Sequence, residues 1–312
     1  MKIGIDIMGG DFAPEATVLG AIQACQILQD KATIVLIGDE NGIHPILKRE
    51  GFDVSRFEIV HTTEVINMSE HPAKTFSAKP DSSIVVGYNL LKTGAIDAFT
   101  SAGNTGAMLV GAMYVVKSIA GVIRPCITAT VPQLSGEKSL ILDVGINPDC
   151  KPDVLVQYAI LGSIYIENVF GIKNPRVGLL NNGEEPEKGN LLTKATHEML
   201  LHESKINFIG NVEGKDLYNG TADVIVCDGF TGNVILKQAE SFYTIAKARN
   251  ISDEYIDLFN FENYGGTPVL GINGNVSIGH GISNAHAIKN MILQAKEVVD
   301  VRLSDKIKEA FK

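Results

Sequence analysis

Six polar, glycine-rich segments in this sequence have the composition of ligand-binding loops. Each follows a short apolar run that is typical of a β-strand, and most precede a helical pattern. Glycine lets the backbone approach a ligand closely, and the free N–H groups at the start of a helix attract an anion. Because the carboxyl ends of parallel strands meet at one edge of a sheet, we expect these segments to converge around an anionic ligand. The segments are residues 8–11, 101–106, 143–147, 181–185, 228–233 and 279–284.

The glycine spacing does not match the standard nucleotide-binding motifs. Gly103-x-x-Gly106 lacks the G-x-G-x-x-G spacing, and after Gly279-x-Gly281 the residue Asn284 stands where the third glycine would be. No G-x-x-x-x-G-K-[ST] motif occurs in the chain. These differences argue against a dehydrogenase and against a kinase.

Several residues in and near these segments are open to two interpretations. Residues 103–106 could cap a helix, and Asp228 could be an acid at a helix N-terminus. Lys188 stands among three glutamates, where a solvated charge is the alternative to a substrate contact. Cys227 ends an apolar run, and we expect a buried small hydrophobe because nothing adjacent would stabilise a thiolate. His280 lies between two glycines and is harder to explain by packing.

Composition and charge exclude several classes of protein. The 312 residues carry a formal net charge of −9, opposite to the balance of nucleic-acid-binding proteins, so we expect no nucleic-acid partner. The four cysteines form no C-x-x-C pair, which is typical of a reducing compartment. The seven histidines lack metal-ligand spacing, so we expect no metal and no cofactor. With no signal-peptide core, and with a longest apolar run (106–116) too short to span a bilayer, the sequence favours a cytoplasmic protein.

The pattern of apolar residues indicates the elements that must carry these loops. Strand-like runs alternate with helical periods, beginning with a strand over residues 2–7 and a helix opened by Pro14. This alternation predicts an α/β fold with a largely parallel central sheet, because parallel neighbours require crossover helices. Near the end, a β pair over 269–272 and 276–278 precedes a long helix from Ser283. Further strands are predicted at residues 33–37, 97–100, 126–131, 140–144, 176–180, 207–209 and 223–227. No linker-like tract divides the chain, so we predict one unit over residues 1–312, which could have two lobes.

Short motifs follow one another in a specific order from Met1 to about Lys296. They are I-D-x-M-G-G-D-x-A-P at 5–14, D-S-S at 81–83, S-A-G-N-T-G at 101–106, R-P at 124–125, L-D-V-G-x-N at 142–147, D-G-F-T-G-N at 228–233, Y-G-G at 264–266 and H-G-x-S-N-A at 280–285. In this order and spacing, the chain resembles the bacterial phosphate acyltransferases of phospholipid synthesis (fatty acyl-acyl-carrier-protein:phosphate acyltransferases).

The resemblance implies a fold, a reaction and partners. The implied fold is a three-layer α/β/α sandwich, similar to phosphate acetyl- and butyryltransferases and to isocitrate-dehydrogenase-like proteins, in a homodimer. The implied reaction transfers a long acyl chain from the thioester of acyl carrier protein to inorganic phosphate. The product, an acyl-phosphate, would feed a membrane glycerol-3-phosphate acyltransferase. Three alternatives remain: a short-chain phosphate acyltransferase that uses acyl-CoA, a dehydrogenase on the same kind of fold, and a non-catalytic lipid-binding protein.

The resemblance also implies the site residues. Lys188 or Arg124 would offset the phosphate charge, and Asp228 or Asp11 would orient donors or accept a proton. His280 would protonate the leaving thiolate. The expected catalytic residues are therefore Asp11, Lys188, Asp228 and His280. The expected substrate- and phosphate-binding residues are Gly10, Ser101, Gly103, Asn104, Thr105, Gly106, Arg124, Asp143, Asn147, Gly229, Asn233, Gly265, Gly266, Ser283 and Asn284.

Three segments depart from the family pattern. Residues 77–80 are Ser-Ala-Lys-Pro, where the family usually has a basic stretch that would suit the acidic carrier protein. Residues 181–183 are Asn-Asn-Gly in place of Asn-Ile-Gly. Residues 252–263 carry four acids and no Lys or Arg, although their apolar residues could still form a hydrophobic tip. We therefore expect weak membrane contact, with stable association made through a partner such as the downstream acyltransferase.

Overall fold

The computed structural model describes residues 1–312, and the chain forms two compact units. Unit 1 comprises Met1–Ser118 and Phe261–Ser304, and unit 2 comprises Ile119–Asn260 and Asp305–Lys312. The strands are β1 (Lys2–Asp6), β2 (Thr33–Gly38), β3 (Phe57–His61), β4 (Ala98–Ser101), β5 (Cys126–Pro132), β6 (Lys138–Leu142), β7 (Arg176–Leu180), β8 (Asn207–Val212), β9 (Val224–Val226), β10 (Gly266–Leu270) and β11 (Asn275–Gly279). The helices are α1 (Glu15–Leu28), α2 (Glu40–Arg49), α3 (Pro72–Ala78), α4 (Ser83–Thr93), α5 (Thr105–Gly111), α6 (Pro152–Tyr165), α7 (Leu191–Leu201), α8 (Gly229–Ala248), α9 (Glu254–Asp257), α10 (Ala285–Asp300) and α11 (Leu303–Ala310).

Unit 1 is built on a sheet with the strand order β3-β2-β1-β4-β11-β10. All neighbouring strands are parallel except β10 and β11, which form an antiparallel pair. β1 lies inside the sheet and pairs Ile3 with Ile34 of β2 and with Ala98 of β4. Because β1, β4 and β11 run in one direction, the loops that follow them leave the sheet at the same edge.

The core of unit 1 lies between this sheet and the helices α1 and α10. Ile3, Ile5 and Ile7 are buried there in one cluster with residues of both helices. The two helices approach closely because Gly20 of α1 has no side chain. A methyl group added at Gly20 would lie 2.5 Å from the Cβ atom of Ile288 on α10. Glycine at this position therefore fixes the distance between the helices.

Unit 2 holds its strands in the order β5-β6-β9-β7-β8. β5 and β6 are antiparallel, and the remaining neighbours are parallel. The buried helix α6 packs on the sheet at Gly162, where a methyl group would lie 2.6 Å from Val224 of β9. Arg176 and Asp223 add an ion pair with an Nη2–Oδ1 distance of 2.8 Å. Because β6, β9 and β7 are parallel, the loops that follow these strands leave the sheet at one edge.

The predicted α/β fold with a largely parallel sheet is confirmed in both units. The strand predicted at 176–180 has those ends, whereas β6 ends at Leu142, two residues before its predicted end. Asp143 leaves the strand because its carboxylate accepts hydrogen bonds from the following loop. The helix expected from Ser283 begins at Ala285, since Asn284 is its N-cap.

One aromatic ring of the acidic segment 252–263 lies in the interior of unit 2. Phe259 is buried among the rings of Tyr218, Phe242 and Tyr255, with centroid distances of 5.4 Å in each case. The hydrophobic tip considered above is therefore not formed by this phenylalanine. None of the helices combines the length and the apolar character that crossing a membrane requires.

We predict that Phe259→Ala lowers the free energy of unfolding by about 3–5 kcal/mol, because it empties the centre of this aromatic cluster. The control is Phe12→Ala, since Phe12 is exposed and its loss should change stability by only about 0.5 kcal/mol. Urea unfolding followed by circular dichroism measures both values. Equal unfolding midpoints for the two variants would show that the cluster does not stabilise the unit.

Candidate functional site

In unit 1, a buried carboxylate connects two of the predicted loops. Asp6 is the last residue of β1 and is buried. Its carboxylate accepts a hydrogen bond from the Ser101 hydroxyl at 2.6 Å and another from the Met8 N–H at 3.0 Å. The Ser101 hydroxyl accepts one from the Gly103 N–H at 2.9 Å. Burial raises the pKa of Asp6, and the hydrogen bonds act against this rise by stabilising the carboxylate.

The two loops touch where both are glycine. A methyl group added at Gly9 would contact the Asp6 carboxylate and would lie 2.7 Å from the backbone nitrogen of Gly103. Because that neighbour is backbone, it cannot move aside as a flexible side chain could. The expected convergence of residues 8–11 with residues 101–106 is thus confirmed, and it requires glycine at position 9.

The third loop of unit 1 joins the other two at Gly281. The carbonyl of Gly281 accepts a hydrogen bond from the Asp11 N–H at 2.7 Å. Gly10, with a φ of +104°, lies against the same carbonyl. The half-buried His280 packs its ring 4.8 Å from the ring centroid of Phe261. Asp11 and His280, two of the four expected catalytic residues, therefore lie on adjoining loops.

The side chain of Asn104 is bound to protein partners at both ends of its amide. Its Oδ1 caps α5 by accepting a hydrogen bond from the Ala107 N–H at 3.0 Å. Its Nδ2 donates to the carbonyls of Asn67, Met68 and Glu70 at 3.0, 3.2 and 3.0 Å. The buried Asn104 thus clamps the 67–70 segment to the start of α5, and the capping interpretation of this segment is confirmed.

Two other expected residues of unit 1 have side chains that a substrate could reach or pair with. Thr105 is exposed at the first position of α5. Ser283 is buried, and its hydroxyl has no hydrogen-bond partner within the protein. A buried polar group without a partner is uncommon, which marks this hydroxyl as a candidate ligand contact. Gly106 is different, because it packs against Pro72.

The remaining expected residues of unit 1 belong to the packing around α10. Asn284 caps this helix by accepting a hydrogen bond from the Ala287 N–H at 3.0 Å. Gly265 has a φ of +80° and contacts the backbone of Met291. A methyl group at Gly266 would lie 2.9 Å from the Met291 side chain. These contacts explain the glycine pair by close packing against a helix.

Unit 2 uses a buried carboxylate in the same way. The buried Asp143 follows β6, and its carboxylate accepts hydrogen bonds from the Ile127 N–H at 3.1 Å and from the Asn147 N–H at 2.7 Å. The Asn147 side chain also donates to this carboxylate, at 3.1 Å, and to the Pro125 carbonyl at 2.8 Å. Burial raises the pKa of Asp143, and the hydrogen bonds oppose the rise.

The segment that begins α8 rests directly on this carboxylate. A methyl group at Gly229 would lie 2.7 Å from Oδ2 of Asp143 and 2.8 Å from the backbone nitrogen of Asn147. The Gly229 N–H donates to the Asn147 carbonyl at 2.8 Å. Residues 143–147 and 228–233 therefore converge, as the sequence predicts for loops that follow parallel strands.

Asp228 is the N-cap of α8. Its carboxylate accepts hydrogen bonds from the Thr231 N–H at 2.9 Å and from the Thr231 hydroxyl at 2.8 Å. The exposed Asn233 donates to the Val144 carbonyl at 3.2 Å. The capping interpretation of Asp228 is thus confirmed, and it fixes the direction in which the start of α8 points.

The two expected phosphate-binding cations lie on exposed parts of unit 2. Arg124 donates to the Asp149 carbonyl at 2.9 Å. Lys188 is exposed and forms no ion pair, whereas the neighbouring Glu184 pairs with Lys215 at 2.8 Å. The hydrogen bonds and ion pairs of unit 2 do not join either cation to Asp143 or Asp228. Lys188 is therefore a solvated charge that remains open to an anion.

An acidic cluster near Lys188 already has a cation of its own. Glu184, Glu213 and Asp216 have carboxylate oxygens within 4.8 Å of one another. The ammonium of Lys215 pairs with Glu184 and with Glu213. This side chain supplies the positive charge that a metal ion would otherwise bring.

The cysteines around Asp143 are held as thiols. Burial raises the pKa of Cys126 and of Cys227 well above the ordinary value, and it raises the pKa of Cys150 to about 11. The expectation that Cys227 is a buried small hydrophobe is confirmed. Because the thiolate is the nucleophilic form, these residues are poor nucleophiles at neutral pH.

Sequence comparison identifies the family. Residues 1–257 match the family described as "Fatty acid synthesis protein". The chain is 43% identical over 328 residues to a phosphate acyltransferase from Dictyoglomus turgidum, with 99% of this chain and 97% of that protein covered. It is 44% identical over 330 residues to a phosphate acyltransferase from Acetivibrio thermocellus, with 100% and 96% covered. The chain belongs to the phosphate acyltransferase family.

A solved structure has the same fold. The branched-chain phosphotransacylase from Enterococcus faecalis V583 has a TM-score of 0.66 and 14% sequence identity, with 96% of this chain and 99% of that chain covered. The fold predicted from the resemblance is therefore confirmed, and the family assignment makes this chain an acyltransferase with phosphate as acceptor.

Sequence reasoning missed Asp6 as a residue of this acyltransferase's loop cluster. A signal was present, because Asp6 ends an apolar strand and is followed within three residues by Gly9. Asp143 shows the same pattern, followed by Gly145. A carboxylate at the end of a buried strand must find hydrogen-bond donors, and glycine-rich loops supply backbone N–H groups at close range.

We predict that Gly9→Ala lowers the rate of phosphate-dependent acyl transfer about 100-fold, because displacing a loop by about 1 Å misaligns the groups it carries. Gly214→Ala is the control, since a methyl group there would meet nothing within 4 Å. Steady-state rates with an acyl thioester and phosphate measure the effect, and circular dichroism verifies folding. A folded Gly9→Ala enzyme with the wild-type rate would contradict the proposed dependence on this contact.

Proposed function

We propose that this acyltransferase transfers a long-chain fatty acyl group from acyl carrier protein to inorganic phosphate, releasing an acyl-phosphate for phospholipid synthesis. The observation that carries the proposal is full-length similarity to proteins named phosphate acyltransferase, together with a family match described as fatty acid synthesis. Carrier-protein thioesters are the donors that the motif resemblance implies.

The proposed reaction needs no covalent enzyme intermediate. An oxygen of HPO₄²⁻ attacks the thioester carbon, so that a C–O bond forms and the C–S bond breaks. The proton that leaves the phosphate is taken up by the departing thiolate. The protein must hold the reactants together, stabilise the developing oxyanion and move one proton. Burial raises the pKa of the Cys126 and Cys227 thiols, which disfavours the thiolate that a covalent route through either residue would need.

Unit 1 supplies groups for the proton transfer in this proposal. Asp11 and His280 adjoin at Gly281, where a carboxylate can accept the phosphate proton and an imidazolium can donate one to sulfur. The Ser283 hydroxyl can donate to an oxyanion, because no protein acceptor occupies it. In this proposal Asp228 orients α8, because its carboxylate already accepts two hydrogen bonds from Thr231.

A second candidate donor is acyl-coenzyme A, because one contact weakens the expected docking of the carrier protein. An acidic carrier protein needs exposed positive charge for docking, and Lys79 is the only basic residue in the 77–80 segment. Its ammonium is bound to the Glu70 carboxylate at 2.8 Å and to the Val65 carbonyl at 2.6 Å. This segment therefore offers little free positive charge to the carrier protein.

We also propose that the enzyme is a homodimer that pairs through α8. Only three residues of this 20-residue helix are buried. Phe230, Val234 and Ile245 are each more than half exposed, and their spacing puts them along one face of the helix. Exposed apolar side chains along a helix that is largely unburied are typical of an interface with another copy.

We place the enzyme in the cytoplasm, with membrane contact made through a partner such as a membrane glycerol-3-phosphate acyltransferase. Two features of residues 252–263 support this location. The segment has four acids and no Lys or Arg, so anionic headgroups repel it. Its Phe259 is engaged in the aromatic cluster and contributes no apolar anchor.

The function is tested by phosphate-dependent release of thiol from palmitoyl-acyl carrier protein, with palmitoyl-CoA and NAD(P)H oxidation as parallel assays. We expect turnover to require phosphate, to prefer the carrier-protein thioester and to survive a chelator. A higher kcat/KM with palmitoyl-CoA would favour the second donor. Turnover in phosphate-free buffer would contradict the reaction itself.

Lys188→Ala should lower the phosphate-dependent rate ~10- to 1000-fold if Lys188 offsets phosphate charge in the transition state. Lys194→Ala is the matched control, because Lys194 is also an exposed lysine of unit 2 without an ion pair. The measurement is kcat and the KM for phosphate. Wild-type phosphate kinetics in Lys188→Ala would make Lys188 a solvated surface charge and no more.

The dimer proposal predicts that the double change Val234→Glu and Ile245→Glu converts the enzyme to monomers, because carboxylates cannot be buried between two apolar faces without a large cost. Ile27→Glu on α1 is the control, since Ile27 is exposed to a similar extent as Ile245. Sedimentation equilibrium reports the mass in solution. A wild-type enzyme that sediments as a monomer would refute the proposal.

A further inference from the structure

Three exposed apolar side chains come from three segments that meet at Gly281. Phe12, Met68 and Ile282 are 54%, 44% and 52% exposed. Phe12 follows Asp11, whose N–H is bonded to the Gly281 carbonyl, and Ile282 is the residue after Gly281. A methyl group added at Gly281 would lie 2.8 Å from Cε of Met68. We call these three residues the Gly281 rim.

The turn that carries Met68 is held firmly, so its exposure is not the result of a loose loop. Asn104 donates to the Met68 carbonyl at 3.2 Å and to the carbonyls of Asn67 and Glu70 at 3.0 Å each. The Glu70 carboxylate accepts from the Asn67 N–H at 2.7 Å and from the Lys79 ammonium at 2.8 Å. A fixed turn therefore presents a methionine side chain to solvent, and an apolar ligand that covered this side chain would gain binding free energy.

The Gly281 rim lies beside the groups proposed to move the proton. The methyl position at Gly281 is 3.9 Å from both carboxylate oxygens of Asp11, and His280 precedes Gly281 in the chain. A thioester carbonyl held at these groups must extend its acyl chain over adjacent surface. The Gly281 rim is the exposed apolar surface next to these groups.

We propose that the Gly281 rim binds the methylenes of the acyl donor and sets the preference of the enzyme for long chains. Each methylene removed from water strengthens binding about fourfold, so a rim of three side chains can separate long from short donors. Methionine suits this role because its unbranched, polarisable side chain adapts to a chain that has many conformations.

An acyl chain fits the rim better than a protein partner does. A stable protein interface needs about 800 Å² from each partner, and three side chains do not supply such an area. The carboxylate of Asp11 stands within the same cluster and would repel an acidic carrier protein. The assignment rests on the proposed function, because the Gly281 rim can bind an acyl chain only if the acyl donor binds at these loops.

The test compares octanoyl- and palmitoyl-acyl carrier protein as donors for the wild type, Met68→Ala and Met68→Leu. We expect Met68→Ala to lower kcat/KM for the palmitoyl donor by about 5- to 20-fold and for the octanoyl donor by less than about twofold. Met68→Leu should retain the wild-type preference, because leucine keeps most of the apolar surface. The KM for phosphate should stay within about twofold of the wild-type value in both variants.

Met113→Ala is the matched control, since Met113 belongs to the same unit and is 45% exposed. It should leave the chain-length preference unchanged. An equal loss with both donors, or no loss with either, would overturn the assignment of the rim even though phosphate-dependent turnover persists. Absence of phosphate-dependent turnover in the wild type is a different result, because it would refute the proposed function.

Discussion

A carboxylate taken out of water at the end of a central strand organises each unit of this enzyme. Such a group is tolerated only when several donors reach it, so the chain around it must bring N–H and O–H groups to a single point. Asp6 obtains them from Ser101 and from the loop after β1. Asp143 obtains them from β5 and from the loop after β6. The positions of the loops follow from this requirement.

The same requirement explains why glycine is needed at specific points. Gly9 lies against the carboxylate of unit 1, in the loop that also donates to it from Met8, and Gly229 lies against the carboxylate of unit 2 at the start of α8. A side chain at either position would push a loop off its carboxylate. Glycine in these motifs is therefore a packing requirement first. The same loops can also offer backbone N–H groups to a ligand. Only the N–H groups that do not already donate to the buried carboxylate can do so.

Local sequence signals were sufficient for the fold and for the convergence of neighbouring loops within each unit. Alternating strands and helices predicted the parallel sheet, and glycine-rich segments after strands predicted where the loops converge. The individual roles were less accessible because they depend on distant partners. Nothing near Asn104 indicates that its amide binds three carbonyls more than 30 residues earlier in the chain. Phe259 likewise looked like part of an exposed tip because Tyr218 lies 41 positions away in the sequence.

Asn104 also limits which parts of this enzyme can be replaced by those of a relative. The Asn104 side chain both caps α5 and binds the turn at residues 67–70, so the helix start and the turn depend on the same residue. A turn grafted from a relative would have to present three carbonyls with the same spacing, or α5 would lose its cap as well. The turn is consequently not a module that can be swapped by itself. Its sequence can diverge at side chains that face solvent, while its backbone path stays tied to the residue that begins the neighbouring helix.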